Sequence, residues 1–285
     1  MKIALAQLNP VVGDVVGNSS RIVAAIESAR GDGADLVVFS ELVICGYPPR
    51  DLLLVEGFVE GCMSAVREIG EEHTSGIGVV IGGPMGVEGG VSNSVVVYED
   101  GRFLGRHDKR LLPTYDIFDE DRYFVSGGEA VVVEVAGMKV GLAICEDLWR
   151  GDDAGFGDRY DDEPDHVGEL VARGAELIVV PSASPFVLGK ADMHRGILRG
   201  HSERFGVPVV SVNQVGGNDD LVFAGQSCVI DSDARTVHES VAFGESVEIV
   251  DLDSCDLVPH RSLDDERAIV EALTLGVRDY VTKCG

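Results

Sequence analysis

Leu36-Val37-Val38-Phe39 is an unbroken apolar run that stops at Ser40-Glu41. Four apolar residues in a row suit a strand covered on both faces, since a half-exposed strand would alternate with polar residues. Upstream, Ile22, Val23, Ile26 and Ala29 recur at helical spacing, with Asn18 placed to cap that helix and Gly31 and Gly33 to end it. Residues 3–8 form another short apolar stretch. Strand, helix, strand at this spacing predicts an α/β fold.

Reading onward, a helix is expected over residues 58–72 and a strand over 77–81. Val95-Val96-Val97-Tyr98 and the stretch from Phe103 pair as a hairpin about Glu99-Asp100-Gly101, and residues 131–135 pair with 140–144 across Gly137. An acidic, Gly-rich loop fills 151–163. Beyond it come a helix over 167–173, a strand over 177–180, a helix over 193–205 and a strand over 207–212. Hairpins among βα units predict mixed sheets. Gly33-Ala34-Asp35-Leu36-Val37-Val38 echoes Gly174-Ala175-Glu176-Leu177-Ile178-Val179. The echo suits two similar βα halves stacked sheet to sheet, and equally the ordinary form of a helix–Gly–strand junction.

The 285 residues suit one α/β domain or two small ones. Forty-nine acidic against 23 basic residues give a formal net charge of −26. That charge repels nucleic acid and anionic membrane, so neither is an expected partner. It fits a salt-adapted source and ordinary solubilising surface charge alike. No uncharged apolar run reaches the roughly 18 residues of a membrane span, and the apolar residues near Met1 are too few for a signal peptide. The six cysteines (Cys45, Cys62, Cys145, Cys228, Cys255, Cys284) form no Cys-x-x-Cys pair. They are read as reduced thiols of a cytoplasmic protein.

Three polar side chains stand at ends of apolar strands: Glu41, Lys109 and Cys145. Strand ends are rigid and open onto loops, which makes them common places for functional groups. The three types suit acyl transfer. A thiol becomes nucleophilic as it loses its proton, a carboxylate can take that proton and later activate water, and a cation with a backbone N–H can hold a tetrahedral oxyanion. The backbone N–H of Glu146 is a candidate second donor. Taken singly, a cysteine at a strand end also reads as core and a lone lysine as solvated, and Glu120, in the run Asp119-Glu120-Asp121, also reads as a surface acid. The seven histidines show no metal spacing, no cysteine-protease signature surrounds Cys145 despite His107, and no nucleotide-binding Gly-rich loop is present.

In order, Phe39-Ser40-Glu41-Leu42 with Gly46-Tyr47-Pro48-Pro49, then Asp108-Lys109-Arg110-Leu111-Leu112-Pro113, then Ile144-Cys145-Glu146-Asp147-Leu148-Trp149 resemble the three motifs of the nitrilase, or carbon–nitrogen hydrolase, superfamily. The resemblance spans residues 1 to about 252. Pro113-Thr114-Tyr115-Asp116-Ile117-Phe118-Asp119-Glu120, Ser182-Ala183-Ser184-Pro185-Phe186, Gly189-Lys190 and Asn213-Gln214-Val215-Gly216-Gly217 further resemble the glutaminase domain of glutamine-dependent NAD synthetases. The resemblance implies a four-layer αββα sandwich that packs against copies of itself as a homo-oligomer. It implies Glu41 as base, Lys109 as oxyanion cation, Cys145 as nucleophile, and Glu120 as the second glutamate that orients the lysine. The glutamine pocket it implies is Tyr115, Glu146, Trp149, Ser184 and Lys190. Asn218, Asp220, Ala224 and Gln226 depart from that pattern, which puts tunnel or interdomain contacts in doubt.

Residues 1–255 are accordingly expected to be a glutaminase domain, and 256–285 a linker and helix leading toward a synthetase domain. The helix over 264–283 would carry Ile269, Ala272, Leu273 and Val277 on one side. The expected activity is release of ammonia from L-glutamine for an ATP- and magnesium-dependent NAD synthetase domain or subunit, with no cofactor in this domain. The competing expectation is a free-standing amidase on another small carboxamide.

Overall fold

The computed structural model describes residues 1–150, 160, 163–254 and 264–284. The predicted acidic loop falls almost wholly, and the expected linker from 256 to 263 wholly, outside the described residues.

The first half of the chain forms β1 (Lys2–Gln7), α1 (Val15–Gly31), β2 (Leu36–Phe39), α2 (Phe58–Glu72), β3 (Gly78–Val87), β4 (Gly90–Glu99) and β5 (Arg102–Asp108). β6 (Val131–Val135), β7 (Met138–Leu142), α3 (His166–Ala172), β8 (Leu177–Ser182), α4 (Lys190–Phe205) and β9 (Val209–Asn213) follow. The remainder is a hairpin of β10 (Val215–Asn218) and β11 (Leu221–Ala224), then β12 (Cys228–Ile230), β13 (Thr236–Glu239), β14 (Ser246–Asp251) and α5 (Asp265–Cys284).

Two six-stranded mixed sheets result, ordered β14-β1-β2-β3-β4-β5 and β13-β12-β9-β8-β7-β6. β1, β2 and β3 run parallel, as do β7, β8 and β9, and antiparallel strands flank each trio. The echoed segments are the middle strands of the two trios, β2 and β8. Alternation along the strands explains the apolar runs. Ile3, Leu5, Leu36 and Val38 face a layer shared with Leu142, Leu177, Val179, Val210 and Val212 of the other sheet. Val37 and Phe39 turn outward onto Ile22 and Ile26 of α1 and Val66 of α2, while Ile178 and Val180 meet Leu170 of α3 and Leu198 of α4. Both faces of β2 and β8 are covered, giving four αββα layers. Each fully buried aliphatic side chain contributes about 1.5–3 kcal/mol.

Three expectations are corrected. Asp14, not Asn18, caps α1, its carboxylate accepting from Gly17 N at 2.9 Å. Asn18 lies buried inside the helix and joins Val11 N and O (2.9 and 2.8 Å) to Ile44 O (3.2 Å). The strand over 77–81 is the first half of β3, which continues into a hairpin with β4. In α5, Ile269, Leu273 and Val277 point to solvent, and the buried face is Ala268, Ala272, Leu275 and Asp279.

That face of α5 packs on the β10–β11 hairpin. A Cβ on Gly217 would stand 3.1 Å from Gly276 Cα, so glycines permit the close crossing. Asp279 accepts from Asn9 Nδ2 (2.7 Å) and Gly217 N (2.8 Å). Lys283 donates to Asn9 Oδ1 (2.6 Å) and Asn218 Oδ1 (2.7 Å). No helix among the described residues is long and apolar enough to cross a membrane.

Candidate active site

The first trio of strands delivers Glu41 two residues after the end of β2, and β5 delivers Lys109 immediately after Asp108. Glu41 is buried in a tight turn over β3. A Cβ on Gly82 would come within 2.5 Å of Leu42 N and 2.6 Å of Ser40 O, so the strand beneath that turn must carry glycine. One oxygen of Glu41 accepts from Asn93 Nδ2 at 2.7 Å, the other from Ala183 N at 2.9 Å. Lys109 Nζ donates to Glu41 Oε1 at 2.7 Å and to both oxygens of Glu120 at 2.9 Å. Tyr47 Oη donates to Glu120 Oε1 at 2.8 Å. Glu120 is 4% exposed, which rules out a solvated surface acid.

Cys145 comes from the second sheet. It opens a short 3-10 turn, Cys145–Leu148, just beyond β7. Its φ of +41° lies in the left-handed region that non-glycine residues seldom occupy, so the turn is held by its surroundings. Glu146 follows it and accepts from Tyr115 Oη (2.8 Å) and Tyr160 Oη (3.1 Å). Lys190, the first residue of α4, sets its ammonium 5.6 Å from the centre of the Trp149 ring and 5.7 Å from that of Phe118. Ser184 and Lys190 line one cavity together with His194 and Asn213. All nine predicted site residues thus fall in two connected groups, the Glu41–Lys109–Glu120 cluster and the Cys145 turn with its aromatic surround.

Burial works against every charge here. It pulls Lys109 down, but Glu120 and Glu41 outweigh it and hold the ammonium well above its ordinary range. Burial lifts Glu120 to about 7, against the pull of Lys109, because two carboxylates compete for one ammonium. Burial, then the charge of Glu41, push the Cys145 thiol well up, and Lys109 and Lys190 act in the opposite sense. Cys145 therefore rests as a thiol, and nucleophilic attack by it would need a base to take its proton. Burial also raises Glu146 and lowers Lys190.

His107, Asp147 and His166 bring metal-type donor atoms within 4.8 Å of one another. Both ring nitrogens of His166 are already engaged, Nε2 with Leu142 O (2.9 Å) and Nδ1 with Arg110 Nη1 (3.1 Å). A guanidinium at that distance opposes a cation, so the cluster does not fit a metal centre.

The carbon–nitrogen hydrolase family profile matches residues 2–154 and 164–261. The chain belongs to the carbon–nitrogen hydrolase family. Among curated relatives of this hydrolase, the glutamine-dependent NAD(+) synthetase of Synechocystis is 38% identical over 99% of this chain and 53% of its own length. That of Thermotoga maritima is 37% identical over 89% of this chain and 42% of its own. The chain thus spans about half the length of the curated relatives it matches. A solved glutamine-dependent NAD+ synthetase from Acinetobacter baumannii superposes with a TM-score of 0.86 at 31% identity, covering 99% of this chain and 52% of that one. A variant of an amidase from Nesterenkonia, solved with the acetamide moiety of fluoroacetamide added covalently to its active-site cysteine, superposes at 0.75 with 25% identity. That match covers 88% of this hydrolase and 90% of the amidase.

The sequence did not single out the groups that hold the base. Asn93 and the Ala183 amide carry no local signal, because each reaches Glu41 from a distant element. Tyr47 stood within a quoted motif without a role.

Proposed function

We propose that this chain hydrolyses L-glutamine to L-glutamate and ammonia through a γ-glutamyl thioester on Cys145. The observation that carries the reading is Lys109 held between Glu41 and Glu120 beside a strained, buried thiol. Cys145 Sγ attacks the side-chain amide carbon while Glu41 takes the thiol proton. Lys109 stabilises the tetrahedral oxyanion. As the C–N bond breaks, Glu41 returns the proton to the departing nitrogen and ammonia leaves. Water, deprotonated by Glu41, attacks the thioester, and Cys145 departs as thiol on receiving that proton. Glu146, with Tyr115 and Tyr160, suits the substrate's ammonium; Lys190 and Ser184 suit its carboxylate. Trp149 walls the Lys190 side of the pocket.

The same reading gives the ammonia to an NAD synthetase domain or subunit, and it draws on the names of relatives twice as long as this chain. Residues 1–255 are then the glutaminase unit, and α5 the helix beside the synthetase. ATP and magnesium belong to that partner, since the amidase steps close with side chains alone. A homo-oligomer working in the cytoplasm completes the proposal.

The test incubates the purified chain with L-glutamine, asparagine and simple aliphatic amides, with and without a chelator, and measures ammonia. Glutamine turnover, unchanged by chelation and lost in Cys145→Ala, supports the proposal. Turnover of other carboxamides with glutamine untouched overturns the substrate.

A further inference from the structure

Glu41 and Lys109 ride on one sheet and Cys145 on the other, so something must fix their separation. Asp147 lies at that junction, 2% exposed, two residues after Cys145. Its Oδ1 accepts from Arg110 N at 2.8 Å and Leu111 N at 3.1 Å, the two residues that follow Lys109. Its Oδ2 accepts from Ile144 N at 2.8 Å, the residue before Cys145, and lies 2.8 Å from His107 Nε2, two residues before Lys109. One carboxylate is thus bonded on both sides of the lysine and at the root of the cysteine turn. His107 is fully buried, stacks on His166 with centroids 4.7 Å apart, and has no partner at Nδ1 among the described residues. A carboxylate offers only acceptors, so the 2.8 Å contact requires Nε2 to carry a hydrogen and donate it to Asp147.

We propose that Asp147, supported by His107, is a positioning residue that sets Lys109 against Cys145 across the gap between the two sheets. The inference rests on the roles given above to Lys109 and Cys145. The carboxylate is matched to its site because all four neighbours are donors and it offers only acceptors. Burial opposes its charge, but His107, the nearby His166 and the Ile144 amide outweigh burial and keep it ionised far below the ordinary carboxylate range. An asparagine must turn its NH2 toward two of the four donors, whichever way it is flipped, so one half of the brace is lost.

The experiment is a double-mutant cycle on ammonia release. Asp147→Asn is expected to lower kcat about 10²-fold with KM within about threefold, because it misplaces a cation needed only when the oxyanion forms. Placed on Lys109→Gln, it is expected to cost less than about threefold more, since the residue it positions is already gone. Losses that multiply, or undiminished turnover in Asp147→Asn, overturn the proposal. Should Asp147→Asn fail to fold, His107→Leu, which removes only one bond, is expected to lower kcat about tenfold, while His107→Gln, which keeps a donor, restores most of it. Equal activity in those two variants also overturns it. If the parent leaves glutamine untouched, the substrate fails on its own. The cycle is then read as the rate of Cys145 alkylation by iodoacetamide at about pH 8, where rate follows the thiolate fraction. That rate is expected to fall several-fold in each single variant and no further in the double; an additive fall overturns the brace.

Discussion

Lys109 Nζ bisects the carboxylate of Glu120, 2.9 Å from each oxygen, while keeping a single bond to Glu41. In the proposed mechanism Glu120 holds the lysine while Glu41 serves as the base. Glu120→Gln keeps one acceptor and loses the charge. Turnover is expected to fall about 10–100-fold, with the thiol still labelled by a glutamine-like electrophile, as for a lost supporting electrostatic contact. Parent-level kcat in purified Glu120→Gln would remove this residue from the mechanism.

The triad makes a sharper demand. Cys145→Ala is expected to abolish hydrolysis. Glu41→Gln should lose about 10²–10⁴-fold, the usual contribution of a general base, and Lys109→Gln a comparable factor through the oxyanion. The measurement is steady-state ammonia release alongside circular dichroism, so that loss of fold is not mistaken for loss of chemistry.

Acidity offers a check on the cluster as a unit. Glu120 is raised from its ordinary 4.5 to about 7. Below about 7 it takes a proton and Lys109 loses a counter-charge, so kcat/KM is expected to fall on the acid side with an apparent midpoint near there, and this limb should vanish in Glu120→Gln. Stability runs the other way. A carboxyl raised in the folded state contributes stability that is complete below 4.5 and lost as pH rises through about 7. Urea midpoints of parent and Glu120→Gln, compared across that window, should therefore diverge with rising pH, the parent losing the more. Because Glu120 titrates against the Lys109 ammonium, the midpoint belongs to the pair.

Cys45 sits close to Glu41 in sequence yet packs into the layer beneath α1 and α2, and its sulfur approaches Leu42 O and Gly46 O at 3.6 Å. The adjacent Cys62 thiol and burial push it well up, which marks an inert thiol. Cys45→Ser is expected to keep activity within about threefold and to cost about 1–2 kcal/mol of stability for placing a hydroxyl in an apolar layer. Mass spectrometry after electrophile treatment should find the adduct on Cys145 alone.

Charge predicts a salt response. The net charge is −26, and only five of the 23 basic residues are lysines, three of which (Lys109, Lys190, Lys283) are at least half-buried. The other 18 basic residues are arginines, and Arg50, Arg122, Arg204, Arg235, Arg267 and Arg278 are exposed, but all 23 cations together offset fewer than half of the 49 acids. Raising sodium chloride shortens the Debye length from about 30 Å at 0.01 M to about 3 Å at 1 M. The melting temperature should rise by about 3–6 °C, corresponding to about 1–2 kcal/mol for a chain of this size. A flat melting curve over that range would assign the acids to ordinary solubilisation.

Where the sequence was readable, one periodicity was enough. Residues 58–72 and the two echoed strands carry patterns that burial on known faces explains, and Glu41, Lys109 and Cys145 stand out because polar atoms end apolar runs. The region from Val215 to Asp251 was not readable, since β10 to β13 are only three or four residues long and mix glycine and polar side chains. Asn18 looked like a cap because its true partners, Val11 and Ile44, are brought near only by the fold. In α5 the apolar residues run all around the helix, so the sequence could not tell which face β10–β11 would cover. Asn93 and the Ala183 amide belong to the same class: their roles are defined by approach, not by neighbours in the chain.

The shared valine layer between the sheets acts as a spacer gauge. It holds the base and the nucleophile on separate plates, so its thickness sets their working clearance. Trimming Ile26 or Leu198, in the outer layers, should loosen the protein while leaving the surviving folded molecules at full speed. Trimming Val38 or Val179 should slow those same folded molecules as well. A lineage could then drift freely in its outer packing, yet accept change in the middle layer only in compensating pairs, one from each plate.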